Sequence, residues 1–312
     1  MTNTTVDRAG VPGERAEPVP RRRTAHDRYR EPTTGLVAIV VPELENPLLI
    51  HLASQMAHAL LRQGLLSVLC PEGAAQEWQE QWHEQLPGRL RARGISGVVH
   101  IGPVWNREEK GPEGGVAACR GAPMFVVHAG AEDSVGLELC TDDVVAAERT
   151  LGYLSGLGHT AIGLVLAHTG HRATGDRAET FLGRGPVLVQ QTISSPEGGY
   201  AAAGALLDAG CTAVVCDNGL LALGVLDAVR GRGLTVPGDV SLMALEDAPS
   251  NRFTDPALTV LQLPVRRMAE SAAAALKEAL LGVPVPRAEL VYAPELVVRG
   301  STGPAPRGGR AC

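Results

Sequence analysis

The chain has 312 residues, 45% of them apolar and 20% charged, with a formal charge of −6. That length suits two lobes or domains with sizeable cores, and the acidic balance excludes a protein that coats nucleic acid with its whole surface. No apolar stretch approaches the roughly 20 residues of a membrane span, and the polar, Pro-rich first 35 residues hold no secretory signal, so the expected compartment is the cytoplasm, with no membrane partner.

Residues 1–30 carry seven arginines against Asp7, Glu14, Glu17 and Asp27. Residues 1–34 therefore read as a disordered basic arm, either simply solvated or touching phosphates. The arm shows no helical apolar periodicity. A helix-turn-helix needs a recognition helix braced by packed neighbours, so the expectation is a chain without a recognisable DNA-binding head.

From Leu36 onward, short apolar runs alternate with helical patterns, the mark of parallel α/β units. The expected order opens with a strand at 36–41, a helix at 47–62 with Pro47 near its start and Gly64 at its end, and a strand at 65–69. A polar helix at 76–92, a strand at 97–101, a loop at 102–115, a strand at 124–128 and an extended run at 135–141 follow. Asp142 reads as the N-cap of a helix ending near Gly158. Strands are then expected at 161–166, 187–193, 213–216, 240–245 and 258–263, with helices near 174–182, 197–209, 219–231 and 265–281. A last strand at 289–298 precedes a frayed tail.

The six cysteines lack metal-finger spacing and are expected to be free buried thiols. No metal site is expected. His51 and His58, seven residues apart, are read as surface or interface residues, and His168 and His171 flank Gly170 as a possible pH-sensitive pair. Trp78 and Trp82 read as a packing stripe at i,i+4. No phosphate-binding G-x-x-x-x-G-K-[ST] loop and no G-x-S-x-G elbow occurs, so neither a cofactor nor an enzyme is expected.

Eight strings carry a resemblance. They are Val40-Val41-Pro42 with Glu45-Asn46-Pro47; Thr141-Asp142-Asp143; Leu157-Gly158-His159; Gly198-Gly199-Tyr200; Leu220 to Leu226; Val236-Pro237-Gly238-Asp239-Val240-Ser241; Asp255 to Val260; and Glu295 to Thr302. In this order, from Gly35 to Thr302, the sequence resembles the effector-binding and dimerisation core of the LacI/GalR repressor family. The resemblance implies an α/β, two-lobe fold like that of periplasmic binding proteins, with parallel sheets flanked by helices and a three-strand hinge. It implies a first lobe of 35–159 plus 257–283, a second of 160–256 plus 284–303, and a disordered tail at 304–312.

The same resemblance places ligand in the interlobe cleft, beyond the carboxyl ends of the strands. It implies ligand contacts from Arg177, Asn218, Glu246 and Asp247, with Asn46, Leu48 and Ser194 also facing the site. A guanidinium fork can hold two ligand oxygens, so removal of Arg177 is expected to abolish binding while leaving the fold intact. Other readings stay open: a surface arginine, a helix-capping Asn218, a loop-capping Glu246. Where the family commonly shows aromatic residues, Leu48, Leu49, Ser194 and Ser195 stand, so two stacking platforms are missing. The cleft then serves an unusual small ligand or has decayed.

The reading is a transcriptional regulatory sensor for a small-molecule effector, which is a sugar, a nucleoside or a small polar metabolite. It is expected to act as a homodimer or as a mixed dimer with a DNA-binding paralogue, meeting DNA only indirectly or weakly. The alternatives are a free-standing cytoplasmic sugar-binding protein and a truncated or mis-started repressor.

Overall fold

Leu36–Val41 forms β1 and is buried along nearly its whole length, as a strand covered on both faces must be. Asn46 then starts α1 (Pro47–Arg62): its Oδ1 accepts from the Leu48 amide at 2.9 Å, Pro47 opens the first turn, and Gly64 takes a positive φ just past the end. The computed structural model describes residues 34–42, 44–71, 90, 92–102, 123–128, 135–167, 172–283 and 288–306. The expected arm up to residue 33, most of the polar helix at 76–92 with Trp78 and Trp82, and the pair His168 and His171 lie outside these residues.

The chain continues through β2 (Leu66–Pro71), β3 (Ile95–Ile101), β4 (Pro123–His128), β5 (Val135–Thr141) and α2 (Asp143–Gly156). Next come β6 (Ile162–Ala167), α3 (Arg172–Leu182), β7 (Val187–Thr192), α4 (Pro196–Asp208), β8 (Ala213–Cys216), α5 (Gly219–Gly231) and β9 (Ser241–Ala244). After a 3-10 turn at Pro249–Phe253 follow β10 (Thr259–Gln262), α6 (Val265–Leu280), β11 (Ala288–Tyr292) and β12 (Glu295–Val297).

Two sheets result. The first has the strand order β11-β5-β4-β3-β1-β2 and the second β12-β10-β9-β8-β6-β7. Both are mostly parallel. Two departures from the expected parallel sheets occur: β4 runs antiparallel to β3 and β5, and β12 antiparallel to β10. The connection 129–134 is too short for a parallel crossover, which needs a dozen or more residues, so β4 and β5 must pair as a hairpin.

The chain passes between the sheets three times, after β5, after β10 and after β11, in keeping with a three-strand hinge. The positions of these passages correct the expected lobe boundaries. Helix α2 buries Ala146, Ala147, Leu151 and Leu154 against β6 of the second sheet rather than against the first. Strand β10 pairs with β9, and β11 pairs with β5. The lobes therefore divide near 142, 263 and 293. Caps and propensity locate a helix but do not say which core its apolar face meets. The expected strand at 289–298 is two strands in different sheets, divided at Ala293-Pro294, where proline has no N–H for a ladder.

In the first lobe α1 and α6 pack on the sheet around Met56, Leu60, Met268 and Leu276. In the second, α2 and α3 cover one face and α4 and α5 the other. Helices α4 and α5 meet through Gly199 and Gly224, where a Cβ would collide with the backbone of Leu221 and Pro196. Cys70 and Cys216 are free, whereas buried Cys140 is disulfide-bonded, against the expectation of free thiols; even scatter along a sequence does not say which sulfurs meet in space. Among the described residues no helix is long and apolar enough to cross a membrane.

His159 closes the second lobe at the end away from the cleft. Its Nδ1 lies 2.9 Å from Thr212 Oγ1, and its Nε2 lies 3.0 Å from both Ser241 Oγ and the Gly303 carbonyl oxygen. Burial holds its pKa below the ordinary value, although the Gly303 carbonyl pulls the other way. The unfolded chain therefore binds this proton more readily than the folded one, and stability is full above about pH 6.5 and lost as pH falls below it. Urea titrations across this range should show that fall, and His159→Ala should remove the histidine's share of it while costing about 1–3 kcal/mol at neutral pH.

Candidate functional site

The described cleft is built where strands of the second sheet end. Asp217 follows β8, Glu246 follows β9, and Asp143 opens α2 just after β5 has crossed from the first sheet. Arg177, on α3, is buried among them. Its Nη2 donates to Asp143 Oδ1 at 3.0 Å and its Nη1 donates to Asp217 Oδ1. Asp217 Oδ2 also accepts from the Ala167 amide at 3.3 Å, tying the group to the end of β6.

Burial alone disfavours charge on the Arg177 guanidinium, but Asp143 and Asp217, with Glu246 adding, outweigh it and raise its pKa. Arg177 is thus neither a surface residue nor an open fork. Both of its terminal nitrogens are engaged by protein carboxylates.

Glu246 is different. Its Oε2 is sealed from solvent and has no hydrogen-bond partner among the described residues. Burial, together with the charges of Asp217 and Asp143, pushes its pKa up to about 8 against the opposing pull of Arg177. The residue as a whole is half-buried and lines a cavity of about 360 Å³. That cavity lies between α1 (Leu48, His51, Gln55), the Glu246–Asp247 turn and the segment from Leu261 to Arg267.

The other expected contacts also have structural roles, and of them Leu48 and Asp247 line the cavity. Asn218 caps α5, its Oδ1 accepting from the Leu221 amide at 3.0 Å, while its Nδ2 donates to Ser194 Oγ at 2.9 Å. Asn46 caps α1, and Leu48 is buried in the first lobe's core at one wall of the cavity. Asp247, expected beside Glu246 at the ligand, is held by Arg299 through two bonds of 3.0 and 2.7 Å and by Gln262 Nε2 at 2.9 Å. Its carboxylate is spent on the segments that lead into and out of the hinge.

The structure therefore brings together Arg177 and Glu246 on one hand and Asn218 and Ser194 on the other. Asp143 and Asp217 are the members that sequence reading missed. Asp217 directly follows the all-buried strand β8, so a carboxylate just beyond a buried apolar run was the available signal there; Asp143 lies two residues past β5. Among the described residues no group of histidine, cysteine and acidic side chains is arranged to hold a metal ion.

Comparison with known proteins agrees with this architecture. Residues 151–302 match the periplasmic binding protein-like domain. The HTH-type transcriptional regulator MalR of Streptomyces coelicolor is 35% identical, the match covering 89% of this chain and 84% of that protein. The regulator reg1 of Streptomyces lividans is 36% identical with the same coverage of 89% and 84%. Among solved structures, a LacI family regulator from Enterococcus faecium with bound ribose superposes with a TM-score of 0.68 at 20% identity, over 86% of this chain and 99% of that one. One from Arthrobacter in complex with lactose has a TM-score of 0.66 at 19% identity, covering 86% and 99%.

Removing one member of a buried charge group leaves the others uncompensated. Arg177→Ala is therefore expected to lower stability by about 3–5 kcal/mol, because Asp143 and Asp217 remain buried without their partner. Chemical denaturation at neutral pH measures this directly. An unchanged midpoint would return Arg177 to the role of a free ligand fork.

Proposed function

The chain belongs to the LacI/GalR family of transcriptional regulators, and we propose that it senses a sugar-like effector captured at Glu246 in the cleft between its lobes. One observation carries this reading: Glu246 lines the cavity, and its sealed Oε2 has no partner among the described residues. A buried polar atom left unpaired costs free energy, and a ligand hydroxyl arriving from the cavity removes that cost. The ribose and lactose carried by fold neighbours support sugars as the class to try first.

Capture is coupled to the angle between the lobes. The cavity wall contributed by α1 belongs to the first lobe, and the Glu246–Asp247 turn to the second. A ligand touching both favours one closure angle, and only such differential contact can shift a conformational equilibrium. Changed closure then alters how a dimer occupies its DNA. Leu61 at the end of α1 and Leu66 on the edge strand β2, 60% and 61% exposed, support a partner lobe on this face.

Ribose, lactose and a panel of related sugars, tested by thermal shift and calorimetry, are expected to include at least one that binds. Its affinity should fall at least about tenfold in Glu246→Ala, the loss of one buried hydrogen bond to a charged or acidic group. Equal binding by that variant would refute the assignment of Glu246, and silence across the panel would refute a sugar effector. Sedimentation of the same sample should report a dimer.

A further inference from the structure

Two groups of polar residues line the cavity, and they differ in charge. The first is Glu246 with Asp247, in the turn after β9. Asp247 is matched by Arg299, at 3.0 and 2.7 Å, and also accepts from Gln262 Nε2. Glu246 keeps its proton at neutral pH, since burial lifts its pKa to about 8. Neither residue therefore brings an unopposed negative charge to the cavity, and a protonated carboxyl can both donate and accept. Asp143 and Asp217 hold Arg177 and do not line the cavity.

The second group is cationic. It is the first turn of α6, with Arg266 and Arg267, joined by His51 and Gln55 of α1. Arg266 donates through Nε to Glu270 Oε1 at 3.0 Å, and Arg62 donates to the same oxygen at 3.1 Å, so two guanidiniums share one carboxylate. No side-chain hydrogen bond or ion pair among the described residues engages Arg267, His51 or Gln55. The helix start adds to this surplus. Pro264 at the cap position has no side-chain acceptor, no acidic residue stands in the first turn, and the amides of Arg266 and Arg267 have no acceptor among the described residues. A helix start of that kind favours negative charge.

We propose that the effector is a polyol carrying an acidic group, a phosphate or a carboxylate, which sits at the first turn of α6 against Arg266 and Arg267 while a hydroxyl meets Glu246. The proposal rests on the reading of Glu246 as the sugar contact and adds the class of sugar.

Each part of such a molecule answers a group that the described protein leaves unfilled. The hydroxyl pairs with Glu246, whose Oε2 has no partner among the described residues. The anion accepts from Arg267 and from the terminal nitrogens of Arg266, a planar fork that suits two oxygens of one phosphate or carboxylate. A neutral sugar leaves the cationic turn to water. A volume of about 360 Å³ lies at the small end of ligand pockets and suits one monosaccharide with one such group. The two contacts lie on different lobes, α6 in the first and the Glu246 turn in the second. The charged group thus adds the hold on the first lobe that a ligand needs in order to favour one closure angle.

The test uses one scaffold in three forms: glucose, glucuronate and glucose 6-phosphate, each titrated calorimetrically into the intact protein at neutral pH and low salt. At least one of the two anions is expected to bind at least about tenfold tighter than glucose, the gain of one hydrogen bond to a charged group. Added sodium chloride should reduce that preference, because both arginines are exposed. The preference should shrink in Arg267→Gln, which breaks no side-chain bond in the free protein, and vanish when Arg266→Gln is added, with folding checked by thermal melting. Arg252→Gln, at an exposed arginine that does not line the cavity, should keep it. Glucose binding as tightly as both anions, a preference that survives the double variant, or one lost equally in Arg252→Gln overturns the inference while leaving the effector reading in place. Silence from all three sugars overturns the inference as well, and the effector reading falls with it only if the wider sugar panel is silent too.

Discussion

A guanidinium buried between two carboxylates sets the terms for the cleft. Taking such charges out of water is expensive, and mutual attraction repays it only when the geometry is good and the remaining hydrogen-bonding positions are filled. Arg177 meets that condition by engaging Asp143 and Asp217 at once, while Asp217 also takes the Ala167 amide. The three residues come from α3, from the start of α2 and from the end of β8. Their pairing therefore fixes how two helices sit over the carboxyl ends of the second sheet. With the fork committed in this way, the proposed ligand contact falls to Glu246, which lines the cavity.

The hinge shows the same economy of charge. Asp247, next to Glu246, is tied to Gln262, the last residue of β10 before the chain crosses to the first lobe, and to Arg299 beyond β12. Arg149 on α2 donates to the Pro294 carbonyl at 2.6 Å, and the Asp142 amide donates to that of Tyr292 at 3.0 Å. Each crossover is thus anchored to a neighbouring crossover or to the turn that carries Glu246. Both adjacent acidic residues line the cavity, but Asp247 is bonded to the strands that lead to the hinge whereas Glu246 Oε2 is left unpaired among the described residues.

Much of the fold was legible in the sequence because it rests on local chemistry. Asp142 caps the helix that its position announced, Asn218 takes the capping role left open for it, and the apolar runs at 36–41 and 213–216 are buried strands. What was not legible depends on partners distant in sequence. Nothing near Arg177 reveals that Asp143 and Asp217, 34 and 40 residues away, will take its donors. Asp247 read as a ligand contact because its nearest neighbour is Glu246, whereas Arg299 lies 52 residues on. Helix α2 was assigned to the first lobe because its apolar face gives no sign of which core it meets. In the candidate site, residue types were legible and their pairings were not.

The central claim is that Arg177 acts by neutralising two buried aspartates rather than by holding ligand. Its most direct test is the unfolding free energy of Arg177→Met alone, compared with that of the same change combined with Asp143→Asn and Asp217→Asn. Neutral side chains of similar size leave no stranded charge, so the combined variant should recover most of the stability lost by the single one, a coupling of several times the scatter of independent sites. Losses that simply add would contradict the account, and Arg177 would then have to be read as a residue kept for the ligand.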